Sequence, residues 1–265
     1  MNKLPQVEEY LQRRNAAYRS ALRQRGLIIN PYSFGAGSSS DPNFASVVLL
    51  VDASDEADAS TPSTIDVKGK TPTYRGNAQC KTDQHKFGTS SIYFDGSNDR
   101  VSFADSADWA MGTGDATWEA WVRPDGDFGA LRIWISQATS VGAFFAIQGY
   151  RNASQLFYRA VSNGTTTYSG TGLTITKDVW SHLAIVRHGA NLWGFINGVG
   201  ELTSTALSGV TLLDSASAMT FGAYADVDNV NYHWKGWMDQ MRITKGVARY
   251  TSSPFTPSAA KWPHS

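Results

Sequence analysis

Cysteine is almost missing from this 265-residue chain: Cys80 stands alone, which excludes an internal disulfide and a structural zinc site built from several thiolates. Histidine is scarce too. The five copies, His85, His182, His188, His233 and His264, include no His-x-x-x-His spacing, so the helix-borne zinc-hydrolase pattern is absent. Neither sign of charge is in excess, with 23 basic and 23 acidic side chains; this excludes a strongly basic nucleic-acid binder and an acidic solvating chain. The longest apolar run, Val47 to Val51, is far short of the roughly 20 residues that cross a bilayer. The opening Met1 to Glu9 has no apolar core of signal-peptide length. These absences predict no membrane span and maturation in a reducing cytosol. What the chain does contain is 12% aromatic residues, nine Trp among them, 24 Gly and only 17% charged residues. That mixture suits half-buried strands joined by tight turns, and predicts an all-β fold.

The balanced charge is made of two unlike parts. Residues 35 to 42, Gly-Ala-Gly-Ser-Ser-Ser-Asp-Pro, read as a flexible linker. Up to Ser40 the chain holds six basic groups against Glu8 and Glu9, a net +4, which leaves −4 on the remainder. Within residues 1 to 34, Leu4, Val7, Leu11, Tyr18 and Leu22 recur at helical spacing, with Tyr10, Ala17 and Ala21 widening the stripe. Pro5 suits a first turn, Glu8 and Glu9 favour the positive end of a helix dipole, Arg19, Arg23 and Arg25 favour the negative end, and Gly26 can cap it. The pattern predicts a helix from about Pro5 to Arg25, followed by an extended apolar strip from Leu27 to Tyr32. A lone helix of this length is marginal in water unless its apolar face is buried. The arm therefore packs on its own body or on a partner. Six basic groups around a narrow stripe make a poor core helix and favour the partner.

From Ser46 onward, short apolar or alternating stretches recur between Gly, Asn, Asp and Ser clusters. They run Ser46 to Val51, Ser91 to Phe94, Thr117 to Arg123, Arg132 to Ser136, Gly142 to Gln148 and Gln155 to Val161, then Thr165 to Ser169, Ser181 to Arg187, Asn191 to Asn197, Met219 to Gly222 and Trp237 to Thr244. Such spacing without helical periods predicts a sandwich over residues 43 to 265. In Thr117 to Arg123, Trp118, Ala120 and Val122 share one face while Glu119, Trp121 and Arg123 share the other. Asn197-Gly198 is a strong hairpin signal.

Five phrases in this body, in order, resemble the laminin G-like branch of the concanavalin A-like lectin/glucanase superfamily. They are Lys86 to Ser97 (KFGTSSIYFDGS), Thr117 to Pro124 (TWEAWVRP), Trp180 to Arg187 (WSHLAIVR), Phe195 to Gly198 (FING) and Trp237 to Tyr250 (WMDQMRITKGVARY). The resemblance implies a two-sheet antiparallel jelly-roll sandwich. The last phrase, with Pro254-Phe255-Thr256-Pro257 after it, resembles the version found in virion proteins of tailed bacteriophages.

Chemistry is hard to find. Polysaccharide-cleaving members of the superfamily resemble one another in a Glu-x-Asp-x-Glu strand, because retaining hydrolysis needs two carboxyl groups about 5 to 5.5 Å apart. The body has three Glu, Glu56, Glu119 and Glu201, and none has a carboxylate two or four residues away on a strand. Carboxylates brought together from separate strands would escape this search. Gly69-Lys70-Thr71 lacks the glycine a phosphate loop needs, having Thr64 in its place. No Gly-x-Ser-x-Gly elbow is present. Asp95, Asn98 and Asp99, and Asp226, Asp228, Asn229 and Asn231, could imitate a calcium rim, but turn chemistry explains them and neither has EF-hand spacing. No metal and no cofactor is expected. For sugar binding the candidates are Tyr224, Asp226, Asp228, Asn231, Tyr232 and Trp234, with Trp134 and Tyr150 as neighbours. Tyr232 and Trp234 equally suit the core.

Together these readings predict a non-enzymatic structural protein of a phage virion, made in the host cytoplasm: a capsid decoration protein displaying a lectin-like sandwich. Its partner would be the major capsid protein or another virion protein, gripped through Val7, Tyr10, Leu11, Arg13, Arg14, Tyr18, Arg19, Leu22, Arg23, Arg25, Ile28 and Tyr32. A homo-oligomer would hold several arms at high effective concentration. The alternative is a glycan- or receptor-binding module of a tail or tail fibre. Neither nucleic acid nor membrane is expected as a partner.

Overall fold

The computed structural model describes residues 40–126, 132–140, 143–152, 155–161, 167–223 and 232–265. The chain divides into two units, Met1–Ser40 and Asp41–Ser265. The predicted helical arm lies outside the described residues, and all of the described secondary structure belongs to the second unit.

That unit contains fifteen described strands. The first five are β1 (Val47–Val51), β2 (Pro72–Arg75), β3 (Gln79–Lys81), β4 (Ser91–Asp95) and β5 (Arg100–Phe103). Five more follow: β6 (Ala116–Pro124), β7 (Arg132–Ser140), β8 (Ala143–Asn152), β9 (Gln155–Val161) and β10 (Thr167–Thr174). The last are β11 (Ser181–His188), β12 (Asn191–Ile196), β13 (Val199–Ser204), β14 (Met219–Phe221) and β15 (Lys235–Lys245). Two antiparallel sheets result. The first runs β13-β12-β11-β6-β15-β4-β3, and β1 also pairs with β15; the second runs β10-β9-β8-β7-β14-β5-β2. The predicted all-β, two-sheet antiparallel sandwich is the observed fold.

The core lies between the sheets. Trp118, Ala120 and Val122 of β6, Leu183 and Ile185 of β11, and Met238, Met241 and Ile243 of β15 meet Trp134, Met219, Phe221, Val101 and Phe103 from the second sheet. In β15 the strict alternation breaks at Gln240, whose φ is +46° and which has no partner where the register shifts between Asp239 and Met241. This bulge keeps both Met238 and Met241 inward and both Asp239 and Arg242 outward. Asn197 and Gly198, at φ +49° and +81°, make the hairpin turn between β12 and β13, in agreement with the expectation from sequence.

The outward face of β6 is also covered, against the simple one-core reading of its alternation. After β15 the chain returns across the first sheet. Trp262 packs with Val47, Leu50, Phe87 and Trp121, while Tyr250 and Phe255 pack on Ala184, Val186 and Phe195. Gly198 serves this return as well as its own turn. Its carbonyl accepts the Phe255 N–H at 3.0 Å, and a Cβ there would collide with the Phe255 carbonyl oxygen.

Candidate functional site

Beneath the returning segment lies a fully buried carboxylate. Glu119 Oε1 accepts Arg242 Nε–H at 2.8 Å, and Oε2 accepts the Tyr250 hydroxyl at 2.7 Å and His182 Nε2–H at 2.9 Å. Arg242 and Arg249 also bind Asp41, at 3.2 and 2.7 Å, and the Arg242 guanidinium lies over Trp262 at 4.1 Å. Burial alone would raise the Glu119 pKa, but Arg242, His182 and Arg249 outweigh it and hold the group at about 2. Burial and the Glu119 charge push the Tyr250 phenol well above its ordinary range. Acid, base and phenol are all present. Yet Glu119 is 0% exposed and both its oxygens are engaged, so the cluster ties the ends of the body together.

A second carboxylate pair is assembled from separate strands, the arrangement a search of linear motifs cannot see. Asp239 Oδ2 accepts the N–H groups of Phe87 and Lys86 at 2.8 and 2.9 Å, and Ser54 Oγ bridges Asp239 to Asp52. Burial raises Asp239 to about 6, helped by the Asp52 charge. At Asp52, burial is outweighed by Ser54 and Lys261, which lower it. Carboxyls pushed apart in this way are a general acid/base signature. Here Asp239 is 1% exposed, and Lys261 and His264 cap Asp52 at 3.1 and 2.9 Å. A substrate would have to displace the C-terminal residues to reach the pair.

The accessible chemistry lies at one rim, where the β2–β3 and β4–β5 turns meet the start of β15. Asp99, 0% exposed, accepts the N–H groups of Asn77 and Asp95 at 2.5 and 2.6 Å; burial nevertheless raises its pKa. Asp95 accepts Ser97 N–H at 2.7 Å and Asn77 Nδ2–H at 3.1 Å. Turn bonds therefore occupy these carboxylates. Among the described residues no group of three or more His, Cys, Asp or Glu is placed to hold a metal ion. Arg132 donates to the carbonyls of Gly96 and His233 at 3.0 and 2.7 Å, stitching the rim together. Beside it, Tyr93 and Trp237 lie 4.9 Å apart on the outward sheet face.

Residues 95–249, more than half of the chain, match the Laminin_G_3 family model, described as the concanavalin A-like lectin/glucanases superfamily. The chain belongs to that superfamily. No curated protein matches it in sequence. Among solved structures it is similar to the binding domain of Paraclostridial Mosquitocidal Protein 1, at 12% identity and a TM-score of 0.56, over 77% of this chain and 50% of that one. The receptor binding domain of botulinum neurotoxin D is similar at 13% identity and the same TM-score, over 77% and 50%. This chain thus spans about half the length of those two domains. Domain 4 of AbnA, a GH43 extracellular arabinanase from Geobacillus stearothermophilus in complex with arabinotriose, is similar at 15% identity and a TM-score of 0.50, over 76% of this chain and 93% of that one. At such identities the likeness is one of fold.

Within this lectin-like sandwich the sequence candidates separate. Trp234 is 0% exposed and belongs to the main core, so it has no face to offer a sugar. The reason is local: Trp234 N–H binds the Gly222 carbonyl at 2.6 Å and the Tyr232 carbonyl accepts Ile133 N–H at 3.0 Å, which seats the segment on the second sheet. Tyr232 stays partly exposed at the rim. Trp134 is a core residue too. Tyr224, Asp226, Asp228 and Asn231, like the arm residues Val7 to Tyr32, lie outside the described residues. Asp41, in the stretch read as linker, is bound into the body by Arg242 and Arg249. Sequence reasoning missed Asp52, Asp239, Tyr93 and the polar role of Arg242; the broken alternation at Gln240 was the available signal for the last.

Proposed function

We propose that the chain is a non-enzymatic structural component of a bacteriophage virion, a decoration protein whose basic N-terminal arm holds it on the major capsid protein while its lectin-like sandwich is displayed. One observation carries this reading. Asp41 N–H donates to the Ser265 carbonyl at 2.8 Å, so the body is entered and left at one place, close to Arg242. The rim begins at Lys235, seven residues away along β15, roughly 20 Å at about 3.3 Å per residue. A body tethered at Asp41 presents the rim away from its attachment. The buried carboxylates support the non-enzymatic part, since Glu119 and Asp239 are consumed in holding the fold. The setting in a virion rests on the Trp237 to Tyr250 phrase and its likeness to phage virion proteins.

The test uses the full chain, with Arg13, Arg14, Arg19, Arg23 and Arg25 changed to Gln. The variant should fold normally but bind particles more weakly, and salt should strip it more readily than the parent. Equal decoration by both proteins would end the anchoring reading. A second reading, a glycan- or receptor-binding module, is favoured by the neighbours, two of them toxin binding domains and one a domain in complex with arabinotriose. The two are compatible, because display places a binding surface outward.

A further inference from the structure

Four neighbouring strands each place one residue in a single row on the outward face of the first sheet. Gln79 of β3 pairs with Tyr93 of β4, Tyr93 with Trp237 of β15, and Trp237 with Arg123 of β6. The Tyr93 ring is tilted 46° to the indole, and the Arg123 guanidinium lies over that indole at 5.0 Å. Trp237 Nε1–H donates to Asp83 Oδ1 at 3.1 Å, and Arg123 pairs with Asp178 at 3.6 Å. The indole and guanidinium are thereby held in place while the Tyr93 ring stays partly exposed. Toward the rim, Asp95 lies opposite Lys235, and Asn77 donates to Asp95.

The aromatic clusters under the C-terminal segment include neither Tyr93 nor Trp237. At a strand spacing of roughly 4.8 Å the row is about 14 Å long. A π-surface flanked by amide, carboxylate and guanidinium groups suits a sugar: C–H faces stack on the ring, and hydroxyls bond to the flanks. Charge selects among sugars. Arg123 faces Asp178 and Lys235 faces Asp125, each at 3.6 Å, whereas Asp83 and Asp95 accept hydrogen bonds from neutral N–H donors. The patch is therefore net negative and repels an anionic chain.

We infer that the row Gln79, Tyr93, Trp237 and Arg123 is a binding site for a neutral polysaccharide. This rests on the lectin-like binding reading of the displayed face, and it places the site on the sheet instead of in the 224–234 loop.

Calorimetric titration of the full chain with linear arabinan, β-glucan and galactan, against polygalacturonate as the anionic probe, tests it. The parent should bind at least one neutral probe, and more tightly than polygalacturonate. Tyr93→Ala should weaken that binding about tenfold or more with an unchanged circular dichroism spectrum, whereas Tyr93→Phe should stay within about threefold, because stacking uses the ring. If Tyr93→Ala does not fold, the paired surface changes Gln79→Ala and Asp83→Asn replace it, with the same direction expected. Undiminished binding by folded variants would remove the row while leaving a lectin-like function intact. Preference for polygalacturonate, or no binding to any neutral probe, would overturn the site, and the particle assay with the arginine variant would still decide the display reading separately.

Discussion

Two buried carboxylates on one sheet face, Glu119 and Asp239, are driven in opposite directions, to about 2 and about 6. They differ in their partners more than in their depth. Glu119 has guanidinium groups from Arg242 and Arg249 within reach; Asp239 has two backbone N–H groups and a serine, with Asp52 nearby as a like charge. Cations offset the cost of burying a charge where dipoles alone do not. The Glu119 region thus works as a clamp on the ends of the body, and the Asp239 region as a strained joint beside it.

Breaking the clamp should have the largest effect. Glu119→Gln leaves Arg242 and Arg249 short of a counter-charge in a buried site, and should cost about 3–5 kcal/mol, read as a lower denaturation midpoint. Core substitution comes next: Trp234→Ala should cost about 3–5 kcal/mol, and Tyr232→Ala, at the rim, clearly less. Should Tyr232→Ala prove the costlier, the assignment of Trp234 to the core and Tyr232 to the rim is wrong.

The joint can be sharpened by pH. Asp239 is raised, so its contribution to stability is full below pH 3.8 and is lost as pH rises through about 6. Glu119 is lowered, so its contribution is present above pH 4.5 and is lost as pH falls toward about 2. The parent should therefore gain stability from pH 6 to pH 4 through Asp239 and lose it on further acidification through Glu119. Asp239→Asn keeps the shape and removes the charge. It should raise stability at pH 7 by on the order of 1–3 kcal/mol and flatten the profile between pH 4 and 6, with the acid loss untouched. A profile unchanged by this substitution would deny that Asp239 titrates there. The smallest effect should come from a chelator: EDTA should leave Tm where it was, since turn bonds already occupy Asp95 and Asp99.

Much of the fold was legible because the central strands carry their periodicity openly, as Thr117 to Arg123 and Ser181 to Arg187 do. The strands that sequence reading passed over include β2, β3 and β13, which end the sheet orders, where one side is unpaired and alternation is weak. Pro72, first residue of β2, is tolerated at such an edge. The site was less legible. Asp52 and Asp239 are 187 positions apart and meet only through the fold, with Ser54 between them. The outward burial of Glu119 depended on Tyr250, Phe255 and Trp262, aromatics present in the sequence but assigned no surface to cover. Trp234 could be read either way, because a Trp beside polar residues suits a rim and a core alike until the path of the chain is known.

The most direct test of anchoring and display is the orientation of the body on a particle, measured by electron cryo-microscopy of virions carrying the full chain. Anchoring through the arm predicts that Asp41 and Ser265 face the shell, with residues 1–34 in contact with it, and that Tyr93, Trp237 and Lys235 point to solvent. A body seated with that rim against the shell, or an arm touching no shell protein, would contradict it.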